Sequence, residues 1–291
     1  MSPRRLGKNN FKNLLLPVLP GVDTPAAWGL AHAIGGQVNL VGLLSVPTDE
    51  PISAVASKAS VFRSTTLAKG RKVFSRPQMS VLVGHDLVEK LQAYVAENPH
   101  DLLIFEWPTH FEVLRFHLAG LLKYPNCNIA VVRGPWEDKI SRILLPVRDG
   151  PYAEMALRLG RILPHDELYV VNFSPVESFD SIDPLVSGLK RVLPKLPDVT
   201  YKIHKFLDPL EGIIKESKHA DLVVMGVSAL PVEDQGLIGT ISEGILMASL
   251  CPVIAVMTRD EVSVARLGEK EQVRGTRAIS LLVDHWFAEN T

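Results

Sequence analysis

Short apolar runs alternate with helically spaced apolar positions along most of this chain. In the second half, Ile143–Val147 is an uninterrupted apolar run, and Ala153, Ala156, Leu157 and Gly160 follow at i, i+3, i+4 and i+7. That pattern predicts a strand and then a helix over Tyr152–Leu163. The same reading gives strands over Leu168–Phe173, Leu222–Met225 and Val253–Met257, and helices over Pro184–Leu193, Pro209–Lys218 and Thr240–Ala248. Val199–Phe206 alternates apolar and polar residues, as a half-buried edge strand should. The first half predicts strands near 13–18, 38–45, 78–83, 102–106 and 128–132, with helices between them. Runs of Val, Ile and Leu with little alternation are buried on both faces, which implies parallel sheets covered by helices.

The two halves repeat one another. "NLLLPVLPG" (13–21) matches "RILLPVRDG" (142–150), "DLLIFE" (101–106) matches "DLVVMG" (221–226), and "CNIAVV" (127–132) matches "CPVIAV" (251–256). Three landmarks recur in one order at offsets of 129, 120 and 124 residues, which defines a duplicated unit. The expected boundaries are 10–134 and 140–258, joined near "RGPWEDKIS" (133–141), with a tail over 259–291. Five strands and four helices per copy make a doubly wound α/β fold. Such sheets bind ligands beyond the carboxyl ends of the strands, where the winding direction reverses. In the second copy this brings "PVRDGP" and "GVSALPVEDQGLIGT" to one crevice.

Composition narrows the function. The chain has 291 residues, 46% hydrophobic and 22% charged, with a formal net charge of −1. A near-neutral balance gives no electrostatic reason to expect nucleic acid or an anionic membrane as partner. No apolar run reaches the length of a membrane span, and the polar start "MSPRRLGKNNFKN" lacks a hydrophobic signal core. Cys127 and Cys251 alone do not suggest a disulfide framework, so the expectation is a cytoplasmic protein. Both cysteines precede a last strand and read as small buried hydrophobes. His110 and His117 have no cysteine or acid partner in metal register, and no metal site is expected. Neither a Walker loop nor a Gly-x-Ser-x-Gly elbow is present, so the sequence shows no catalytic constellation. The basic, Ser/Thr-rich segment 57–74 reads as the second helix of the first unit with a solvated face, the alternative being an anion-binding patch.

The loop after the fourth strand of the second copy carries the chemistry. It runs Gly226, two residues, Ala229, nine residues, Gly239, Thr240, and then enters "ISEGILMASLCPVIAV". With this spacing the chain resembles the universal stress protein family in its tandem form, over about residues 10–258. The resemblance implies two five-stranded domains of the adenine-nucleotide alpha-hydrolase-like fold, arranged as an internal pseudo-dimer. It implies a non-catalytic binding and regulatory role in stress response, with ATP or AMP held in the second domain and magnesium accompanying ATP. A homodimer is a further expectation.

The implied nucleotide-binding residues are Gly226, Ala229, Gly239, Thr240, Ser242, Asp149 and Arg148. Gly239 and Thr240 open a helix whose amides favour an anion, and Thr240 with Glu243 also reads as a capping box. The sequence departs from the family pattern at three places. Ala229 stands for a glycine, and Arg148 occupies the usual aspartate position with Asp149 next to it. Glu233 and Asp234 lie in the loop itself. An acid about 6 Å from a phosphate costs roughly 3 kcal/mol at an effective dielectric near 20, against roughly 1.5–3 kcal/mol for one charge-assisted hydrogen bond. In the first copy Glu106-Trp107-Pro108-Thr109 replaces the glycine-bearing start of the loop, and no nucleotide is expected there.

Two other readings stay open. One is a nucleotide-hydrolysing or nucleotidyl-transferring enzyme, for which Asp149 and Glu233 are the available acids. The other is a docking domain that regulates an attached enzyme or transporter. In the tail, Ile279, Leu282, Val283 and Trp286 form a helical stripe that would seek a protein partner. The stretch "VDHWFAENT" there resembles the lead-in to glucosyl-phosphoglycerate synthase-like glycosyltransferases.

Overall fold

The computed structural model describes residues 11–110, 127–137, 139–147, 151–174, 199–205, 208–227 and 240–258. The chain divides into two units, one over Asn9–Trp136 and the other beginning at Glu137.

The N-terminal unit runs β1 (Asn13–Val18), α1 (Pro25–Ile34), β2 (Gln37–Ser45), a single 3-10 turn (Ile52–Val55), α2 (Ala56–Val73), β3 (Gln78–Gly84), α3 (Leu87–Glu97), β4 (Leu102–Glu106) and β5 (Asn128–Arg133). Its strands lie in the order β3-β2-β1-β4-β5 and every pairing is parallel. The core is the aliphatic filling of the central strands: Leu14, Leu15, Leu16, Leu102, Leu103 and Ile104 are fully buried. Each helix boundary has a local cause. Pro25 starts α1 where no amide is needed, and Gly35 ends it at φ 74°. Asp86 accepts from the Glu89 amide and so caps α3. Gly42 of β2 leaves room for the Phe62 ring, 2.6 Å from where a Cβ would stand, which seats α2 on the sheet.

The C-terminal unit repeats this plan with β6 (Arg142–Val147), α4 (Pro151–Ile162), β7 (Glu167–Ser174), β8 (Val199–Lys205), α5 (Pro209–Ser217), β9 (Leu222–Gly226), α6 (Thr240–Ala248) and β10 (Val253–Met257). Its order is β8-β7-β6-β9-β10, again all parallel. The alternating strand β8 is at the far end of that order. The helix expected over 184–193 and the tail stripe 279–286 lie outside the described residues.

Equivalent positions carry equivalent bonds in the two units. Asp101 accepts from the amides of Lys12 and Asn13, each at 2.8 Å, and fastens the start of β1 to β4. Asp221 does the same for β6 and β9 through the Ser141 and Arg142 amides, at 2.9 and 2.8 Å. Beyond the other end of β4 and β9, Trp107 N–H donates to Val132 O and Val227 N–H to Val256 O. Each clamp satisfies amides that a strand start would otherwise orphan.

Candidate functional site

In each unit the winding direction reverses between the first and fourth strands, and there the ladder opens. β1 pairs with β4 only at Leu14 and Leu15, and β6 pairs with β9 only at Ile143 and Leu144. The cause is Pro17 in one copy and Pro146 in the other. A proline has no N–H for a ladder and is rarely tolerated inside a central strand. Beyond it the two strands part, and two carboxyl ends frame a crevice in each unit.

The two units fill this opening differently. In the N-terminal unit Glu106 ends β4 and is only 9% exposed. Its Oε2 accepts from the Ala27 amide at 2.9 Å, in the first turn of α1. Thr24, at the N-cap of that helix, makes no side-chain cap, so the carboxylate supplies the missing acceptor. Burial pushes the Glu106 carboxyl above its ordinary value, while bonds from Ala27 and Ala26 pull it back. His110, with no exposed surface, completes the filling. Its Nδ1 accepts from the Glu106 amide at 2.8 Å, so Nε2 carries the proton and donates to Pro17 O at 3.1 Å. Burial pushes the imidazole down to about 4, against smaller opposing effects of those two bonds. The sequence placed His110 without a partner. In the fold it holds the carbonyl of the proline that opens the sheet.

In the C-terminal unit Gly226 stands at the position of Glu106. A Cβ there would collide with the main-chain carbonyl of Tyr152, at the start of α4. The close approach that glycine permits is therefore taken by the protein's own backbone, whatever ligand lies beyond. The carbonyl of Val147, one residue past Pro146, accepts from Asn172 Nδ2 at 3.1 Å. Asn172 is buried and lies on β7 in register with Val147. Sequence reasoning passed over it, although a lone amide in the run "LYVVNFS" was the available signal. α6 begins at Thr240, with half-buried Ser242 and Glu243 in its first turn. Arg148, Asp149, Ala229, Gly239, Glu233 and Asp234 lie outside the described residues. Of the seven predicted binding residues, the described part thus contains Gly226 at the crevice and Thr240 and Ser242 at the opening of α6.

Cys127 and Cys251 are both buried and unbridged. Among the described residues no group of three or more His, Cys, Asp or Glu side chains is placed to hold a metal ion. No described helix is long and apolar enough to cross a membrane.

No family model and no curated protein matches the chain. Solved structures do. A universal stress protein from Archaeoglobus fulgidus DSM 4304 superposes with a TM-score of 0.62 at 16% identity, covering 86% of this chain and 99% of that one. A functionally unknown protein from Pseudomonas aeruginosa PAO1 gives 0.52 at 12% identity, over 95% of this chain and 98% of that one. The cytoplasmic domain of a prokaryotic cation chloride cotransporter gives 0.52 at 15%, over 87% and 99%. The class defined here is α/β with the universal stress protein fold. At these identities the shared property is the fold.

Proposed function

We propose that the protein is a tandem universal stress protein: a binding and regulatory module, not a catalyst, with its ligand crevice in the C-terminal unit. The ligand is ATP or AMP. In this reading the amides of Gly239 and Thr240 and the hydroxyls of Thr240 and Ser242 meet the phosphates at the start of α6, where the helix dipole favours an anion. Gly226 and Ala229 line the loop, Asp149 meets the adenosine side, and Arg148 reaches toward the phosphates to offset Glu233 and Asp234. Bound ATP would bring magnesium, which neutralises phosphate charge. The chain's own residues orient the nucleotide and shield it from water.

The observation that carries this reading is the contrast at one position. Glu106 fills the crevice of the N-terminal unit with a carboxylate, whereas Gly226 brings no side chain to the matching place. A buried carboxylate repels phosphate, so the N-terminal crevice is closed to a nucleotide by its own charge.

The test is mass spectrometry of the purified, denatured protein for retained adenine nucleotide. Gly239→Glu sets a carboxylate among the phosphates, and at about 6 Å and an effective dielectric near 20 it should lower the load about a hundredfold. An equal load in the variant would rule out this phosphate corner. Turnover of added ATP with magnesium would count for an enzyme instead.

A further inference from the structure

The whole-chain charge of −1 conceals a local imbalance. From Pro51 to His85 the sequence carries six Lys and Arg residues and no Asp or Glu. The other 25 basic residues share the rest of the chain with all 32 acids. Most of this segment is α2, which buries only a narrow stripe: Thr66 and Gly70 are its buried residues. Taking about 100° per residue, Lys58, Lys69, Arg71 and Lys72 fall within about 80° of Val61 on the opposite face. Arg63 points the other way, its Nε donating to Met79 O at 3.1 Å.

Exposure supports a partnered surface here. Val61 is 62% exposed on the same face, between Lys58 and the Lys69–Lys72 group, and Ile52 in the preceding turn is 48% exposed. With Val73, the segment holds half of the large hydrophobic residues exposed among the described residues. Asp23 meets the face from the loop before α1, 3.8 Å from Lys69, with both side chains mostly in water. Asp49 and Glu50, exposed just before Ile52, border the patch at that end, and the net charge stays positive along α2 itself.

We propose that the outward face of α2 is a docking surface for an anionic lipid bilayer, on which the protein lies peripherally. Aliphatic side chains amid lysines distinguish this occupant from a nucleic acid. Val61 and Ile52 gain by entering the headgroup boundary and gain nothing on a sugar–phosphate backbone, and the lysine stems can follow them while their ammonium groups stay among the phosphates. The acidic remainder of the chain is repelled by the same surface, so the protein would bind with α2 leading. The near-neutral total argued against anionic membranes because it averages over a charge that is segregated. This inference is independent of whether the C-terminal unit holds a nucleotide.

The experiment is sedimentation of the full-length protein with vesicles of phosphatidylcholine alone or mixed with phosphatidylserine. Binding is expected only to the mixed vesicles, and it should vanish near 1 M salt, where screening acts within about 3 Å. Each neutralised lysine should weaken partitioning about fivefold, and Lys58→Glu/Lys69→Glu/Lys72→Glu should abolish it. The single variant Lys58→Gln, expected to fall about fivefold, keeps the test decisive if the triple variant misfolds. Arg4→Gln/Arg5→Gln should bind as wild type. Four outcomes would overturn the proposal: no binding, equal binding to neutral vesicles, binding lost with the Arg4 and Arg5 changes but kept by the α2 variants, or preference for duplex DNA over the mixed vesicles.

Discussion

His110 gives the clearest residue-scale prediction. Its folded value of about 4 lies below the ordinary 6.5, so between those limits the unfolded chain binds a proton that the folded protein excludes. The stability contributed by the neutral ring is full above about pH 6.5 and is lost as pH falls toward 4. Relative to His110→Leu, the wild type should lose about 3 kcal/mol between pH 7 and 4, read from urea midpoints of the two proteins. Parallel pH profiles would show that the ring is solvated. Glu106 has the opposite sign: its value is raised, so its contribution is full in acid and declines as pH rises through the folded value. The difference between wild type and His110→Leu separates the two groups. Gly226→Ala is the second residue-scale case. The added methyl has a backbone carbonyl in its way, and a backbone cannot swing aside as a side chain can. The variant should lose about 1–3 kcal/mol in a thermal melt, with or without nucleotide. A loss seen only with nucleotide bound would place the function of this glycine at the ligand.

At the scale of elements, proline in a central strand is the feature that makes a site. It ends the ladder between first and fourth strands in both units, and an opened ladder exposes carbonyls that need partners. In the N-terminal unit His110 is that partner, for the Pro17 carbonyl; Asn172 instead holds the Val147 carbonyl from the β7 side of β6. The matched clamps at the opposite end of the same strands predict unequal costs. The bonds of Asp221 are partly buried and those of Asp101 are exposed. Asp221→Ala should therefore cost about 2–3 kcal/mol and Asp101→Ala about 1 kcal/mol, measured by denaturant titration. Equal costs would mean that water reaches both clamps alike. Element existence and order were legible from sequence because buried parallel strands are uniform aliphatic runs, and every described strand lies within a residue or two of its expected limits. The clamps were not legible, because an aspartate before an apolar run looks the same whether or not two amides point at it.

At the scale of the whole molecule, two units of one strand order differ at the open end of their first and fourth strands. If the proposed function holds, titration calorimetry should find one adenine nucleotide per chain. A count of two would mean that Glu106 and His110 move aside. Charge is likewise a whole-molecule property with a local exception. The total predicts indifference to anionic surfaces, whereas α2 collects cations that no acid on its own helix offsets.

The sequence by itself determined the α/β plan repeated in two units, the succession of strands and helices along the chain, and the place of Gly226 at the end of a buried strand. These follow from periodicity and connection rules, which act along the chain. Only the tertiary structure decided that Glu106 caps α1, that His110 serves Pro17, and that Tyr152 occupies the space Gly226 leaves. Each of those contacts joins strands or helices far apart in sequence, and burial sets its energy. Neither the partner nor the loss of water is written in the local pattern.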